Sequence, residues 1–465
     1  MTPGSDIILR LTAAQHEQLR RHLFPGDGKE SVALVLCGTH RTARRTVFCV
    51  HQIVPVADEV CIERSPETVT WPMAPYVPLF AEAARKNLAV LKMHSHPSGY
   101  PKFSRLDDKA DRALLGSLAN LAPVATGHAS AIMLPDGAII ARVFTDENQF
   151  TKVARVTVVG DETVSYEDTQ KRLVLSDEAF LRTQQAFGAG TVSVLKSMRI
   201  GVVGCSGTGS WVVEMLSRLG VGELVLVDPD VVERKNLNRI INSTAADAKM
   251  KRPKVRLFTR AIRRLGVGTK AIPLHTDILQ RRVVDALADC DFLFGCVDSA
   301  DGRDALNRIA TFYTIPYLDV GVLLKADGKG NVSQVVAAVH YLIPGGSSLL
   351  SRRVITPEQV RAESLRRRSP EQYEALRKEG YIHGAAVDSP AVISINGFAA
   401  SHAVNEMLAR IHPFRRDSNS EFRHQTFSLT DGAWLRIDDG PACPYLSKRI
   451  GRGDVRPLLD NSELA

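Results

Sequence analysis

The sequence predicts an α/β chain in two parts. An α+β unit spans about residues 1–160, and a second unit is built on a largely parallel sheet covered by helices. Three observations predict this. The chain has 465 residues, enough for two or three domains at roughly 150 residues each. From about residue 172 the pattern changes to short apolar strands alternating with helical stretches, the mark of parallel β-α-β units. "RIGVVGCSGTGSWVVEML" reads as strand, glycine turn and helix, the element that opens such units.

In chain order, "TAAQHEQLRRHLF" opens on Thr12 with Gln15 three residues on, a capping box that predicts a helix. "SVALVLCG" and "RTVFCVHQIVPV" read as strands. "PLFAEAARKNLAVLKMHSHP" reads as a helix running into a strand. "AIMLPDGAIIARVF" is two apolar runs split by Pro-Asp-Gly, a hairpin signal. The polar stretch that follows predicts a linker over 161–175, leaving 176–465 as the second domain. There "SMRIGVVG", "ELVLVDPD", "DFLFGCVDS" and "IPYLDVGV" are the expected strands, with "SWVVEMLSRLG" and "RDALNRIATFYT" as helices between them.

Composition is that of an ordinary globular protein, 44% hydrophobic and 24% charged. No apolar run reaches the roughly 18 residues a membrane-spanning helix needs. The N-terminal stretch lacks a basic start and an apolar core, so it is expected to be mature cytoplasmic sequence. Seven scattered cysteines without framework spacing predict reduced thiols. The formal charge of +8 is dispersed, and the densest basic patch mixes in acids at helical spacing. Neither nucleic acid nor membrane is an expected partner.

"MHSHPSGYPKFSRLDD" carries the first chemistry. His94 and His96 alternate along a strand end, so both imidazoles face one way. Ser104 can cap the following helix, and Asp107 lies in its first turn. Two imidazoles and a carboxylate hold a tetrahedral zinc with one position open to water. Such a zinc makes water nucleophilic at neutral pH, and a carboxylate base completes the site. His-x-His, seven residues, Ser, two residues, Asp resembles the JAMM motif of JAB/MPN metalloproteases, which remove ubiquitin or ubiquitin-like proteins. The resemblance covers about residues 5–155. It implies that His94, His96 and Asp107 are zinc ligands, that Ser104 bonds near the zinc water, and that Glu30 in "KESVALVLCG" is the catalytic base. Glu59 and Glu63 compete for that last role from a loop-like context.

The second site begins at the glycine turn. Gly204, Gly207 and Gly209 let the backbone approach a phosphate at a helix N-terminus, and Asp228 ends the next strand where a ribose hydroxyl would lie. Asn236, Arg239 and Lys254 follow, then Asp298 at another strand end with Arg303 five residues on. Cations for a triphosphate and a carboxylate for Mg²⁺ suit adenylation better than hydride transfer. From about 178 to 455 the pattern resembles the ThiF/E1 superfamily, a Rossmann-like fold that activates the C-terminal glycine of ubiquitin-like proteins as an acyl-adenylate. That resemblance implies ribose binding by Asp228, phosphate binding by Asn236, Arg239 and Lys254, and Mg²⁺ binding by Asp298. It implies that Arg182 in "LRTQQAFG" reaches the ATP of the other subunit, hence a homodimer.

Two departures stand out. Ser206 replaces a glycine of the family's G-x-G-G-x-G, where any small residue serves. Ser348 and Ser351 stand where bacterial relatives have Cys-x-x-Cys, and Cys443 in "CPYL" lacks its partner, so no structural zinc is expected there. Three readings of the serines stand. One carries the activated protein as an oxyester, with His383 as a candidate base; both are loop residues and the adenylate passes directly onward; or cysteines were engineered away. Together the two resemblances imply a bifunctional enzyme, similar to components of bacterial ubiquitin-like conjugation operons. It would cleave after the terminal glycine of a ubiquitin-like protein with zinc, then activate that glycine with ATP and Mg²⁺ for an E2-like acceptor. The alternatives are activation of a sulfur-carrier protein for cofactor biosynthesis, and an N-terminal half that binds without catalysis.

Overall fold

A computed structural model describes residues 6–145, 149–167, 177–327, 329–378 and 391–464. The chain divides into two compact units. The first comprises Met1–Lys171 with Thr311–Thr314 and Lys448–Ala465, and the second Arg172–Ala310 with Ile315–Ser447.

Unit 1 runs β1 (Asp6–Thr12), α1 (Ala13–Leu23), β2 (Val32–Arg41), β3 (Arg45–Pro55), β4 (Glu63–Arg64), β5 (Val69–Thr70) and α2 (Val77–Lys86). It continues through β6 (Ala89–Ser95), α3 (Arg105–Leu121), β7 (His128–Met133), β8 (Ile139–Phe144), β9 (Phe150–Lys152), β10 (Arg155–Val159) and β11 (Thr163–Glu167). Nine strands form one sheet in the order β11-β10-β1-β3-β2-β6-β7-β8-β9, and β4 and β5 make a separate hairpin. Both faces of the sheet are covered. Leu91 and Met93 of β6 join the core that contains Leu19 and Leu23 of α1. Val90, one residue out of step, joins the core that contains Phe80 of α2 and Leu115 and Leu118 of α3. Strand alternation therefore sends the even positions of β6, including Lys92 and His94, to the α2–α3 side.

The capping box of α1 forms as the sequence predicts, with Thr12 and Gln15 bonding reciprocally. The Pro-Asp-Gly hairpin is the antiparallel pair β7–β8. The linker expectation fails in part. Thr163–Glu167 pairs antiparallel with β10 as an edge strand. Its polar residues look like linker because an edge strand needs a buried face on one side only. Residues 168–176 lie outside the described residues. The return of residues 448–465 to unit 1 has no sequence signal. There the Gly38 N–H donates to the Gly451 carbonyl, and His40 faces Asp454 at 3.1 Å.

Unit 2 runs α4 (Leu181–Ser197), β12 (Arg199–Val203), α5 (Gly207–Arg218), β13 (Glu223–Val227), α6 (Ala245–Lys249), α7 (Lys254–Leu265) and β14 (Lys270–Leu274). Next come α8 (Arg281–Ala288), β15 (Phe292–Gly295), α9 (Ala300–Phe312), β16 (Tyr317–Ala326) and β17 (Val332–Leu342). Last are α10 (Pro357–Arg368), α11 (Pro370–Lys378), α12 (Ile393–Ile411), β18 (His424–Ser428) and β19 (Ala433–Arg436). The sheet order is β14-β13-β12-β15-β16-β17-β18-β19. The first five strands are parallel and the last three antiparallel. Strand order reverses between β12 and β15, the crevice where open α/β sheets bind ligands. The glycine turn leaves β12 at that switch point. Among the described residues no helix is long and apolar enough to cross a membrane, and no two cysteines form a disulfide.

Candidate metal centre and nucleotide site

In unit 1, His94 and His96 project from the end of β6, and Asp107 reaches them from the first turn of α3. The Nε2 atoms of His94 and His96 are 3.1 Å apart. Asp107 Oδ1 lies 2.9 Å from His94 Nε2, and its Oδ2 lies 3.6 Å from His96 Nε2. Donors on a tetrahedral zinc with bonds near 2.0 Å are about 3.3 Å apart. These three donors therefore outline one face of such a tetrahedron. Glu30, just before β2, is buried, with Oε1 3.9 Å from His96 Nε2. Glu30, His94 and His96 also form a compact set with donors within 4.8 Å of one another. Asp107 approaches the imidazoles more closely than Glu30 does, so Asp107 fits as ligand and Glu30 as the adjacent base. Glu59 and Glu63 are exposed.

Local chemistry fixes these side chains. Ser104 caps α3: its Oγ accepts the Asp107 N–H at 3.1 Å, while Asp107 Oδ2 accepts the Ser104 N–H at 2.7 Å. The capping box thus orients the carboxylate that faces the histidines. His96 Nδ1 donates to the Tyr100 carbonyl at 2.8 Å, which leaves the Nε2 lone pair for a metal. His94 Nδ1 is buried and has no partner among the described residues.

Electrostatics agree with this division of roles. Burial, with the nearby charge of Lys92, pushes the His94 pKa down to about 4, so its imidazole is neutral. Burial lowers His96 as well, but the bonds to Asp107 and to the Tyr100 carbonyl outweigh it and the net direction is up. Burial would raise Asp107, but its bonds to His94 and His96 hold it far below the usual carboxylate range. Glu30 is pushed up to about 7, chiefly by burial and against the attraction of His96. A carboxylate near that value can exchange protons at neutral pH. Two imidazoles and one carboxylate are a donor set suited to zinc, and the residues present fit it.

In unit 2, a Cβ on Gly209 would overlap the carbonyl oxygen of Gly204, and Gly204 has φ +86°. Both glycines are required by the turn itself. Asp228 is buried at the end of β13; its Oδ2 accepts the Cys205 N–H at 2.7 Å and its Oδ1 the Asp230 N–H at 2.8 Å. Lys254 Nζ lies 2.8 Å from Asp230 Oδ2 and 3.7 Å from Asp228 Oδ1. Burial raises the Asp228 pKa and Lys254 opposes that rise. Burial lowers Lys254, but Asp228 and Asp230 together outweigh it and the net direction is up. The Cδ of Arg239 would lie 3.5 Å from a Cβ on Gly207, so this arginine stem runs beside the glycine turn. Asn236 is buried, its Oδ1 accepting the Glu233 N–H at 3.0 Å. Ser206 makes no side-chain cap, which leaves the first amides of α5 for an anion.

A Cβ on Gly204 would meet the Cys296 carbonyl and Val297 Cγ1, so the segment that leads to Asp298 lies against the glycine turn. Asp298 is exposed in the turn after β15. Arg303 pairs with Asp319 Oδ1 at 3.3 Å and donates to the Val297 carbonyl. Arg182 is exposed on the first turn of α4, bonded to Gln185 Oε1 at 3.2 Å.

Ser348 follows β17 and sits in a hydrogen-bonded turn with Ser351. Its side chain is buried, and its Oγ lies 2.9 Å from Cys443 Sγ and accepts the Ser351 N–H at 3.2 Å. The Ser351 Oγ accepts the Ser348 N–H at 2.8 Å. Hydrogen bonds thus knot together Ser348, Ser351 and Cys443, with buried Leu446 nearby in sequence. Burial and these bonds make the Ser348 hydroxyl a poorer candidate for an oxyester than Ser351, which is exposed. His383 lies outside the described residues.

Two features escaped the sequence reading. Asn396 of α12 lies over Gly207, with Oδ1 3.3 Å from Thr208 Oγ1 and with Nδ2 buried and unpartnered among the described residues. Lys92, two residues before His94, is buried against Asp111. A lysine inside an apolar strand was the available signal, because it must find a buried anion.

Residues 181–442, more than half of the chain, match the ThiF family. The chain belongs to the ThiF family. Residues 12–145 match prokaryotic homologs of the JAB domain, so this ThiF-family chain carries a JAB domain ahead of its ThiF region. It is 33% identical over 135 residues to the SAMP-activating enzyme E1 of Haloferax volcanii, a match covering 29% of this chain and 49% of that protein. It is 29% identical to the sulfur carrier protein ThiS adenylyltransferase of Bacillus subtilis, covering 27% and 37%. A crystal structure of E. coli MccB with ATP aligns at a TM-score of 0.44 and 16% identity, over 58% of this chain and 74% of that one. The ThiF-family chain spans about half the length, or less, of these curated relatives.

Proposed function

We propose that the chain is a two-site enzyme acting on the C-terminal tail of a ubiquitin-like protein. Unit 1 hydrolyses the bond after the terminal glycine, and unit 2 adenylates the carboxylate so released. The observation that carries the reading is the convergence of His94, His96, Asp107 and Glu30 at one buried point, in a chain whose other unit belongs to the ThiF family.

Zinc held by His94, His96 and Asp107 would supply Lewis acidity to water and to the scissile carbonyl. Glu30 takes the proton from the attacking water at Oε1 and returns it to the leaving amine; its pKa of about 7 suits both transfers. Ser104 keeps the Asp107 carboxylate turned toward the histidines through the capping box. In unit 2 the open amides of α5 and the glycine turn receive phosphate, with Arg239 beside them. Asp228, buried after β13, binds the ribose in this reading. Lys254 swings from Asp230 to the phosphates. Asp298, exposed at the switch point, would hold Mg²⁺, which would supply positive charge for the phosphates. The adenylate then passes to an E2-like protein. The relation to a sulfur-carrier adenylyltransferase supports a second reading, in which the tail is activated for sulfur transfer.

Metal analysis beside two assays tests the scheme. Wild type should hold about one zinc per chain. Asp107→Ala should lose zinc and cleavage yet keep ATP–pyrophosphate exchange with a partner ending in glycine. Asp298→Ala should lose exchange and keep cleavage. Loss of both activities in either variant, with folding intact, contradicts two separate sites.

A further inference from the structure

Behind the metal centre, on the α3 side of β6, lies a cluster of four charges that the reaction above does not use. Lys92, on the same side of β6 as His94, is buried, with Nζ 2.8 Å from Asp111 Oδ1. Asp111 is 0% exposed and sits one helical turn after Asp107 on α3. Its other oxygen, Oδ2, accepts Arg142 Nη2 at 2.7 Å. Arg142 comes from β8, and its Nη1 pairs with Asp108. Its Nε donates to Ser130 Oγ at 3.0 Å. The guanidinium carbon is 3.7 Å from the ring centroids of both Phe103 and Phe150.

Every partner of Arg142 on the α3 side flanks the metal ligand. Phe103 precedes the Ser104 cap, Asp108 follows Asp107, and Asp111 lies on the next turn. One planar fork therefore grips the start of α3 on both sides of Asp107, while Lys92 ties the same helix to the strand that carries His94. Burying Lys92, Arg142 and Asp111, with Asp108 half-exposed beside them, is a poor way to gain stability, since apolar residues of equal volume often hold a helix as firmly. What such a network adds is orientation: three ion pairs and the stack on Phe103 fix both the rotation and the height of the helix. Lysine cannot substitute for the fork, because it has neither the planar donors nor the stacking face.

We propose that Arg142, through Asp111 and Lys92, is the positioning residue of the metal centre, holding the Asp107 carboxylate at ligand distance from His94 and His96. The inference rests on the zinc reading above. Outer-shell partners of metal ligands typically contribute 10–100-fold in affinity. Arg142→Lys, which keeps the charge, and Arg142→Gln are expected to weaken zinc binding about 10–100-fold in a chelator competition. Both should also change the visible spectrum of the cobalt-loaded protein, which reports ligand geometry. Thr12→Ala, which loses a cap on α1 away from the site, serves as the destabilised control and should leave zinc affinity and spectrum unchanged. The unfolding midpoint of each metal-free variant separates loosened geometry from a damaged fold. Wild-type affinity and spectrum in Arg142→Lys overturn the positioning role, as does a loss of affinity no larger than that of an equally destabilised Thr12→Ala. A wild-type chain that takes up no zinc overturns the metal reading itself, and this inference with it.

Discussion

Glu30 sits two residues before β2, buried, with Oε1 3.9 Å from His96 Nε2, and the proposed function takes it as the base rather than a ligand. Glu30→Gln should therefore retain zinc at wild-type stoichiometry while cleavage falls by about two to four orders of magnitude, the usual contribution of a general base. Zinc loss in that variant would make Glu30 a ligand instead. The glycine turn gives a prediction of another kind. Any side chain at Gly209 meets the carbonyl of Gly204, so Gly209→Ala should destabilise unit 2 by about 1–3 kcal/mol and suppress exchange. Thermal unfolding and exchange assays check both. His94, His96, Ser104 and Asp107 were legible because they lie within 14 residues of one another and strand and cap geometry are local rules. Lys92 and Asn396 were not, because their partners, Asp111 with Arg142 and Gly207 with Thr208, are brought near only by tertiary folding. Ser348 was legible as an oddity but not as a buried knot, because burial depends on Cys443, 95 residues away.

Helix α3 shows how an element serves chemistry through its end. Ser104 and Asp107 cap it reciprocally, and the same Asp107 carboxylate faces the histidines. Helix α1 has the same device in Thr12 and Gln15, away from these histidines. Removing either cap should cost about 1 kcal/mol. Ser104→Ala should in addition weaken zinc binding, whereas Thr12→Ala should not. Equal zinc affinity in both would confine Ser104 to helix stability. Both boxes were plain in the sequence, because a side chain and an amide three residues apart need no distant partner. Strand β11 was not, because its pairing with β10 is set by backbone bonds and half-exposed residues rather than an apolar run.

At the scale of the whole molecule, the proposed function gives each unit one reaction, the second consuming the product of the first. Arg182, exposed on α4, is proposed to act at the nucleotide site of a second copy. Mixed Arg182→Ala and Asp298→Ala chains, each inactive alone, should regain exchange at no more than about one half of the sites of a hybrid dimer. A mixture that stays inactive although subunits exchange contradicts the role across a dimer. The parallel sheet and its switch point were legible from alternating strands and one glycine turn, which are repeated local signals. The return of residues 448–465 to unit 1 was not, since glycines and ion pairs in a terminal stretch carry no periodic pattern.

The order of the two reactions is the central claim, and intact mass measurement tests it most directly. A small protein that copurifies with the chain is supplied as a precursor extended beyond its glycine, with ATP and Mg²⁺. Wild type should first trim the precursor to the glycine and then add one adenylyl group. Glu30→Gln should leave the precursor untrimmed and unadenylated, yet adenylate the same protein when it is supplied already ending in glycine. Adenylation of the extended precursor by Glu30→Gln, or trimming by Glu30→Gln at the wild-type rate, would contradict the account.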